Sequence, residues 1–380
     1  MILCYIKIIK GNDMKKIILV ILTIFLFTSC TKKDDTIKIG IAVGTSGKYA
    51  SLGNSLKDGI LLAFNEINYK INNKDIEIIQ KDDKQDPNVD KKIIKELLDK
   101  NVKVILGNAT SSMTKVSLNI INKRKGVLLF SPTASSNDFN NKDDNFIRID
   151  GGDPRITLDE LLKFIKINRF KNITIIGDSK NRSYLKTYTT ILPKYLKDEK
   201  IITNKVKYID SNLPLKTIAT KLTQYKKTDL IIMATNSIDA ATTIQYLRQH
   251  NTKTTIICAG WANDKNFFEN IGNYANGLYF ATFIENNNNN KQYKLFEKSF
   301  FNAYGKKPKK FNIIGYKSAQ ILIEALKECK NIENLKQVIL HKKTFNTITG
   351  NITFNKYGDL QGRAVVIKIV NGKFKKVFNE

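Results

Sequence analysis

Only two of the 380 residues are histidine, four are cysteine, six are proline and one is tryptophan. His250 and His341 each fall at the end of a stretch read as a surface helix, so neither can organise a Ser–His–Asp arrangement. No G-x-S-x-G elbow occurs either, and hydrolase chemistry is set aside. Cys4, Cys30, Cys258 and Cys329 show no metal-ligand spacing. Cys258 lies in an apolar run and Cys329 ends a helical stretch. They read as free thiols, with a bridge between them as the alternative. Acid is also in short supply: 35 acidic against 63 basic residues give a formal charge of +28. The lysines are dispersed, which reads as solvated surface. A nucleic-acid binder would need a concentrated basic stripe with interleaved aromatics, and none is found. The charge is compatible with attraction to anionic membrane lipid. At 42% hydrophobic and 26% charged, the chain has an ordinary globular composition and length for two domains. No repeat is visible, and no metal or cofactor is expected.

Met14 to Cys30 runs from two lysines, through the apolar Ile17–Phe27, to the small residues Thr28 and Ser29 before Cys30. That is the layout of a secretory signal. It resembles a bacterial lipoprotein signal with Leu26–Cys30 as the lipobox, which implies lipidation of Cys30 and cleavage before it. Residues 1–29 are then signal peptide, with 1–13 upstream of a better start at Met14, and residues 30–36 are a lipidated tether. The alternative is an uncleaved anchor, but Ile17–Phe27 is shorter than the ~20 residues a spanning helix needs.

Beyond the tether, apolar β-branched runs alternate with helical spacing. Strands are expected at Ile37–Val43, Ile76–Gln80, Val102–Leu106, Gly126–Phe130, Phe146–Ile149, Ile173–Gly177, Lys205–Ile209, Leu230–Ala234 and Thr254–Ala259. Helices are expected from Leu56 to Ile67, Val89–Lys100, after Ser112, Thr157–Ile167, Ser183–Leu196, Leu215–Tyr225 and Asp239–Arg248. This alternation argues for two parallel sheets with helices on both faces. Gly277–Phe283 crosses back, and Asn286–Asn290 is a low-complexity loop. Helices near Lys291–Tyr304, Ile313–Cys329 and Glu333–His341 follow. The strand-like Phe345–Phe354 and Ala364–Phe374 come last, with Asn371-Gly372 as a type I′ hairpin turn.

The chemistry is expected at two consecutive strand ends. Val102–Leu106 is broken by Gly107, and Thr110, Ser111 and Ser112 then open a helix, where free N–H groups and the helix dipole favour an anion. Gly126–Phe130 leads likewise into Ser131-Pro-Thr-Ala-Ser-Ser136. A single such turn usually only caps a helix; two side by side make a crevice suited to a carboxylate or similar small polar group. Ala42–Tyr49 nearly fits a P-loop, but Tyr49 stands where a Mg²⁺-binding hydroxyl belongs, and nucleotide binding is kept as a remote alternative.

Taken together, Ile37–Ala42, Ser46-Gly47, Leu52-Gly53, Asp82-Asp83 with Asp86-Pro87, Gly107 with Ser111-Ser112, Ser131-Pro132, Asn276-Gly277 and Thr349–Asp359 resemble the branched-chain amino-acid binding proteins. These are the periplasmic solute receptors of ABC importers. The resemblance runs from about Ile37 to Asn371 and implies a type I periplasmic-binding-protein fold. In that fold two Rossmann-like lobes with parallel sheets are joined by a three-crossover hinge. Residues 37–150 with 282–346 would form the first lobe, and 151–281 with 347–380 the second. The crossovers would lie near Asp150–Asp153, Tyr279–Phe283 and Phe345–Gly350.

By the same resemblance the ligand set falls on Leu52, Ser111, Ser112, Thr133, Ala134, Ser135, Tyr184, Asn236 and Trp261. The acid that holds an α-amine in relatives would fall near Gly260 or Trp261, where none stands. The ligand is therefore expected to be neutral or purely anionic, unless Asp239 or Asp264 takes the amine. A cysteine pair of some relatives falls on Gln85 and Thr110, so that disulfide is absent. The implied function is an exported, membrane-anchored lipoprotein, facing the periplasm or extracellular side, that delivers a small amino-acid-like, carboxylate or amide ligand to ABC permease subunits. It would be neither an enzyme nor a nucleic-acid binder. A sensory receptor subunit of the same fold is the alternative.

Overall fold

Short apolar strands alternating with amphipathic helices build two sheets in the computed structural model. It describes residues 36–149, 154–197, 201–209, 228–250, 253–283 and 290–378. The leader with Cys30, the crossover expected at 150–153, the helix expected at 215–225 and the loop at 286–289 lie outside those residues.

The first sheet has the order β2-β3-β1-β4-β5-β6, from β1 (Ile37–Ala42), β2 (Lys70–Ile71), β3 (Lys74–Lys81), β4 (Val104–Gly107), β5 (Leu128–Ser131) and β6 (Phe146–Arg148). Strands β1, β4, β5 and β6 run parallel. Val104–Gly107 and Leu128–Ser131 are buried throughout, as continuous apolar runs at the centre of a parallel sheet should be.

The second sheet has the order β16-β15-β11-β10-β9-β7-β8. Its parallel strands are β7 (Asn172–Asp178), β8 (Ile202–Ile209), β9 (Leu230–Ala234), β10 (Thr255–Ala259) and β11 (Tyr279–Phe283). The antiparallel β15 (Ala364–Val370) and β16 (Lys373–Lys376) close its edge. Asn371 and Gly372 both take positive φ, at 50° and 72°, the type I′ turn expected there. A third sheet joins β12 (Thr344–Thr347), β13 (Gly350–Phe354) and β14 (Leu360–Gln361). Phe345–Phe354 is thus a hairpin of two strands, not one.

The helices are α1 (Ala50–Glu66), α2 (Pro87–Asp99), α3 (Ser111–Ile121), α4 (Pro154–Ile167), α5 (Arg182–Lys186), α6 (Leu192–Lys197), α7 (Ser237–Gln249), α8 (Lys265–Ile271), α9 (Lys291–Tyr304), α10 (Lys310–Glu328) and α11 (Leu335–Lys342). Asp86 caps α2 by accepting from the Asn88 and Val89 amides, with Pro87 at the first helical position, where its missing N–H costs nothing. Between α5 and α6 the chain makes a π turn at Thr187–Ile191. Pro193 explains it: a ring without an N–H cannot continue the i→i−4 ladder, and the register widens just before it. None of the helices among the described residues is long and apolar enough to cross a membrane. His250 caps the end of α7 and His341 lies in the last turn of α11. Cys258 and Cys329 are free thiols.

Two lobes follow from this sheet order. The chain leaves the first sheet after β6, returns from the second after β11, and leaves again at residues 362–363, between β14 and β15. That last passage corrects the expectation of Phe345–Gly350, and with it the assignment of residues 347–361 to the second lobe. It also puts Tyr279–Phe283 wholly within the second sheet. The reason is a buried ion pair: Arg148 Nε donates to Asp359 Oδ1 at 2.7 Å. The guanidinium is fully buried and also donates to the Ser136 carbonyl, so the 355–359 turn is tied to β6.

Candidate functional site

Both strand-end turns take the form their sequences suggest. Thr110 is the extended N-cap of α3 but makes no side-chain cap bond. Instead its hydroxyl donates to Gln85 Oε1 at 2.8 Å, so a hydrogen bond joins the two positions at which relatives were expected to carry a disulfide. Ser111 Oγ accepts from the Ser135 and Ser136 amides, each at 3.1 Å. Its own hydrogen has no acceptor among the described residues and remains available to a ligand. Ser131 Oγ donates to the Asn108 carbonyl, and Thr133 Oγ1 to that of Ala109. The two turns are thereby stitched into one surface.

Beneath them lies a buried polar cluster. Asn108 Nδ2 donates to Asp83 Oδ2 at 3.2 Å and Asp90 Oδ1 at 2.6 Å. Ser117 Oγ lies 2.8 Å from Asp90 Oδ2 and 2.7 Å from Asn108 Oδ1. Burial first, then the neighbouring Asp83, pushes the Asp90 carboxyl up to about 7. The geometry agrees: Ser117 has one hydrogen for two acceptors, so a protonated Asp90 donates to Ser117 and Ser117 to Asn108.

The second lobe supplies the opposite wall. Tyr184 on α5, Thr187 and Tyr188 on the π turn, Trp261 in a short 3-10 turn after β10, and Thr282 on β11 face the first lobe across a cavity of about 60 Å³. That is several waters' worth of space, given roughly 10–15 Å³ for one. Trp261 stacks on Tyr49 at 6.0 Å and meets the Tyr184 ring edge-on at 5.5 Å. Thr187 Oγ1 is buried with no hydrogen-bond partner among the described residues, an arrangement that a ligand's polar group would relieve. Lys310, at the start of α10, is the only charged residue in the lining among the described residues. Its Nζ donates to the Gly260 carbonyl at 3.2 Å and to Thr282 Oγ1 at 3.3 Å.

Six of the nine expected ligand residues line this cavity: Leu52, Ser111, Thr133, Ser135, Tyr184 and Trp261. Three do not. Ser112 is at the seam between the lobes, its amide donating to Asn181 Oδ1 and its hydroxyl accepting from the Ser183 amide. Ala134 packs into the first-lobe core and its N–H is held by Ser131 Oγ. Asn236 caps α7, accepting from the Asp239 amide, and donates to Asp178 and Asp239. Lys310 and Thr187 were not anticipated: Lys310 is one of many dispersed lysines that read as solvated surface, and the π turn rotates Thr187 out of ordinary helical register.

Around the cavity the lobes are pinned by the chain's own groups. Lys48 Nζ pairs with Asp239 Oδ1, and Tyr49 Oη donates to Asp178 Oδ2 at 2.7 Å. Burial, then Asp178, pushes the Tyr49 phenol far above its usual range. Burial raises Asp239 as well, against the pull of its Lys48 bond. The lysine of the near-P-loop is therefore engaged in an ion pair across the lobes. Among the described residues no group of three or more His, Cys, Asp or Glu could hold a metal.

A sequence model of the periplasmic binding protein family matches residues 36–373. The leucine-, isoleucine-, valine-, threonine- and alanine-binding protein of Pseudomonas aeruginosa is 29% identical over 129 residues; the match spans 33% of this chain and only about a third (34%) of that relative. Among solved structures, the leucine-binding protein LivK of Thermotoga maritima superposes with a TM-score of 0.79 at 18% identity, covering 90% of this chain and 97% of its own. An R. palustris ABC-transporter solute-binding protein in complex with benzoate gives 0.79 at 17%, covering 90% and 95%. LivJ of Streptococcus pneumoniae, in complex with isoleucine, gives 0.76 at 22%, covering 90% and 98%.

Proposed function

This chain belongs to the periplasmic binding protein family, and from that premise we propose that it is the exported solute receptor of an ABC importer, closing two lobes over a small ligand with a polar head. The observation that carries this reading is the interlobe cavity. Hydroxyls of Ser111, Thr133 and Ser135 stand on the first-lobe side; the rings of Tyr184, Tyr188 and Trp261 stand on the other, with Thr187 Oγ1, which has no partner among the described residues. The ligands named for the structural relatives, isoleucine and benzoate, share a carboxylate, the group such hydroxyls and N–H groups suit. No chemistry on the ligand is needed: binding favours the closed arrangement of an existing equilibrium, and permease subunits read that form.

A thermal-shift screen of amino acids, short amides and small carboxylates tests the reading. A ligand that binds only the folded protein raises the melting temperature with concentration; a flat response across the whole set would count against it. The anchor belongs to the same proposal. Cys30 carries the lipid, so Cys30→Ser expressed in the native host should lose incorporation of labelled fatty acid. Retained label would place the anchor elsewhere.

A further inference from the structure

We propose that the cavity selects a small carboxylate carrying no ammonium group, and that Lys310 sets this preference. This rests on the solute-receptor reading and narrows it to a ligand class.

Among the described residues, three acids of the second lobe stand close to the cleft, and all are already engaged. Asp178 accepts from the Lys180 amide on Oδ1, and from Tyr49 Oη and Asn236 Nδ2 on Oδ2. Asp239 takes Lys48 on Oδ1 and Asn236 on Oδ2 at 2.6 Å. Asp264 caps α8 with Oδ1, which accepts from the Phe267 amide, and accepts from Ser237 Oγ with Oδ2. All six carboxylate oxygens thus hold donors from the chain, and neither Asp239 nor Asp264 is among the cavity-lining residues. A ligand ammonium would have to displace a lysine or break a helix cap to reach one.

Among the described residues, the lining contains no aspartate or glutamate and one cation. Lys310 is half-buried, and no carboxylate among the described residues lies within ion-pair distance of it. An ammonium has three hydrogens, and the two bonds Lys310 makes go to a neutral carbonyl and a hydroxyl. Its Nζ also lies 5.4 Å from the centre of the Phe311 ring, and its charge is felt by Asp264, but neither is an ion pair. One hydrogen and a charge with no salt-bridge partner among the described residues are left for the cavity. An ammonium ligand would meet like charge in a site partly removed from water, whereas a carboxylate would complete an ion pair. The rings of Trp261, Tyr184 and Phe311 cover an apolar body beside that head.

Matched pairs differing only in the amine provide the test: leucine against 4-methylpentanoate, and phenylalanine against 3-phenylpropanoate. Benzoate is added as a rigid acid and 3-methylbutylamine as an amine without carboxylate. Calorimetry on the folded protein should show an acid binding at least about tenfold tighter than its amino acid, roughly 1.4 kcal/mol, with no binding of the amine. Lys310→Met should weaken the acid by about tenfold or more, and Lys310→Arg should recover much of it. Circular dichroism and the ligand-free melting temperature verify folding. Should Lys310→Met fold poorly, Lys310→Gln and Lys310→Arg carry the comparison. An amino acid binding as tightly as its acid, or an acid unaffected in the neutral variants, overturns the proposal while leaving the receptor reading standing. Silence from every member of the set also overturns it, and the receptor reading is then decided separately by a broad metabolite library.

Discussion

At the residue scale, Ser111 carries two duties that can be separated by measurement. Its oxygen accepts two amides of the neighbouring turn, and its hydrogen is the one we assign to the ligand. Ser111→Ala should weaken binding by roughly 1.5–3 kcal/mol if the ligand head is charged, and should also lower ligand-free stability by about 1 kcal/mol or more through the orphaned Ser136 amide. Calorimetry and chemical denaturation report the two losses independently; unchanged affinity would remove Ser111 from the site. Asp90 gives a second prediction, in pH. Its carboxyl sits at about 7 in the fold and near 3.9 in an unfolded chain. The native state therefore holds the extra proton between roughly pH 4 and 7, and stability falls as pH rises through that window. Asp90→Asn stays neutral throughout, so denaturation at acid and neutral pH should show a smaller decline in the variant, by an amount on the order of 4 kcal/mol. Parallel slopes for the two proteins would contradict the protonated network.

At the element scale, α1 and α10 cross with their backbones in close approach. A Cβ on Gly315 would come 2.1 Å from the Leu56 carbonyl oxygen, and one on Gly59 would come 2.0 Å from that of Asn312. Both obstacles are backbone, which cannot rotate aside. Gly315→Ala gains roughly 1 kcal/mol of helix propensity but forces the helices apart, at about 1–3 kcal/mol or more. The net expectation is a lower melting temperature, and because α10 begins with Lys310, weaker ligand binding too. A variant as stable as the parent would mean that the crossing relaxes.

Elements of this kind were legible where local signals were strong. Helix α9 spans the expected Lys291–Tyr304, α2 starts at Pro87, two residues before the expected Val89, and the Asn371-Gly372 hairpin stands where turn chemistry put it. Both hydroxyl-rich turns were legible for the same reason. What was not legible depends on tertiary partners. Lys310 looks like any other lysine in a lysine-rich chain until Gly260 and Thr282 face it. Thr187 enters the cavity through a π turn whose cause, Pro193, lies six residues on. Asn236, placed in the ligand set by resemblance, is occupied by Asp178 and Asp239, two neighbours that sequence spacing alone does not bring together.

At the scale of the whole molecule, closure is governed by contacts outside the cavity as well as within it. Lys48 and Tyr49, beside α1 of the first lobe, reach Asp239 and Asp178 of the second, yet neither lines the cavity. Their effect on a ligand must therefore act through the open–closed equilibrium. An ion pair and a hydrogen bond to buried carboxylates together contribute on the order of 2 kcal/mol, about a 30-fold bias toward closure. Removing both, with Lys48→Met and Tyr49→Phe, lowers the fraction of molecules competent to hold ligand, and apparent affinity falls by up to that factor. Small-angle scattering should show a larger radius of gyration for the ligand-free variant than for the parent, and the two should converge at saturating ligand. Weaker binding without a change in radius would mean that Lys48 or Tyr49 acts on the ligand directly. Unchanged affinity together with unchanged radius would show that these contacts follow closure without favouring it.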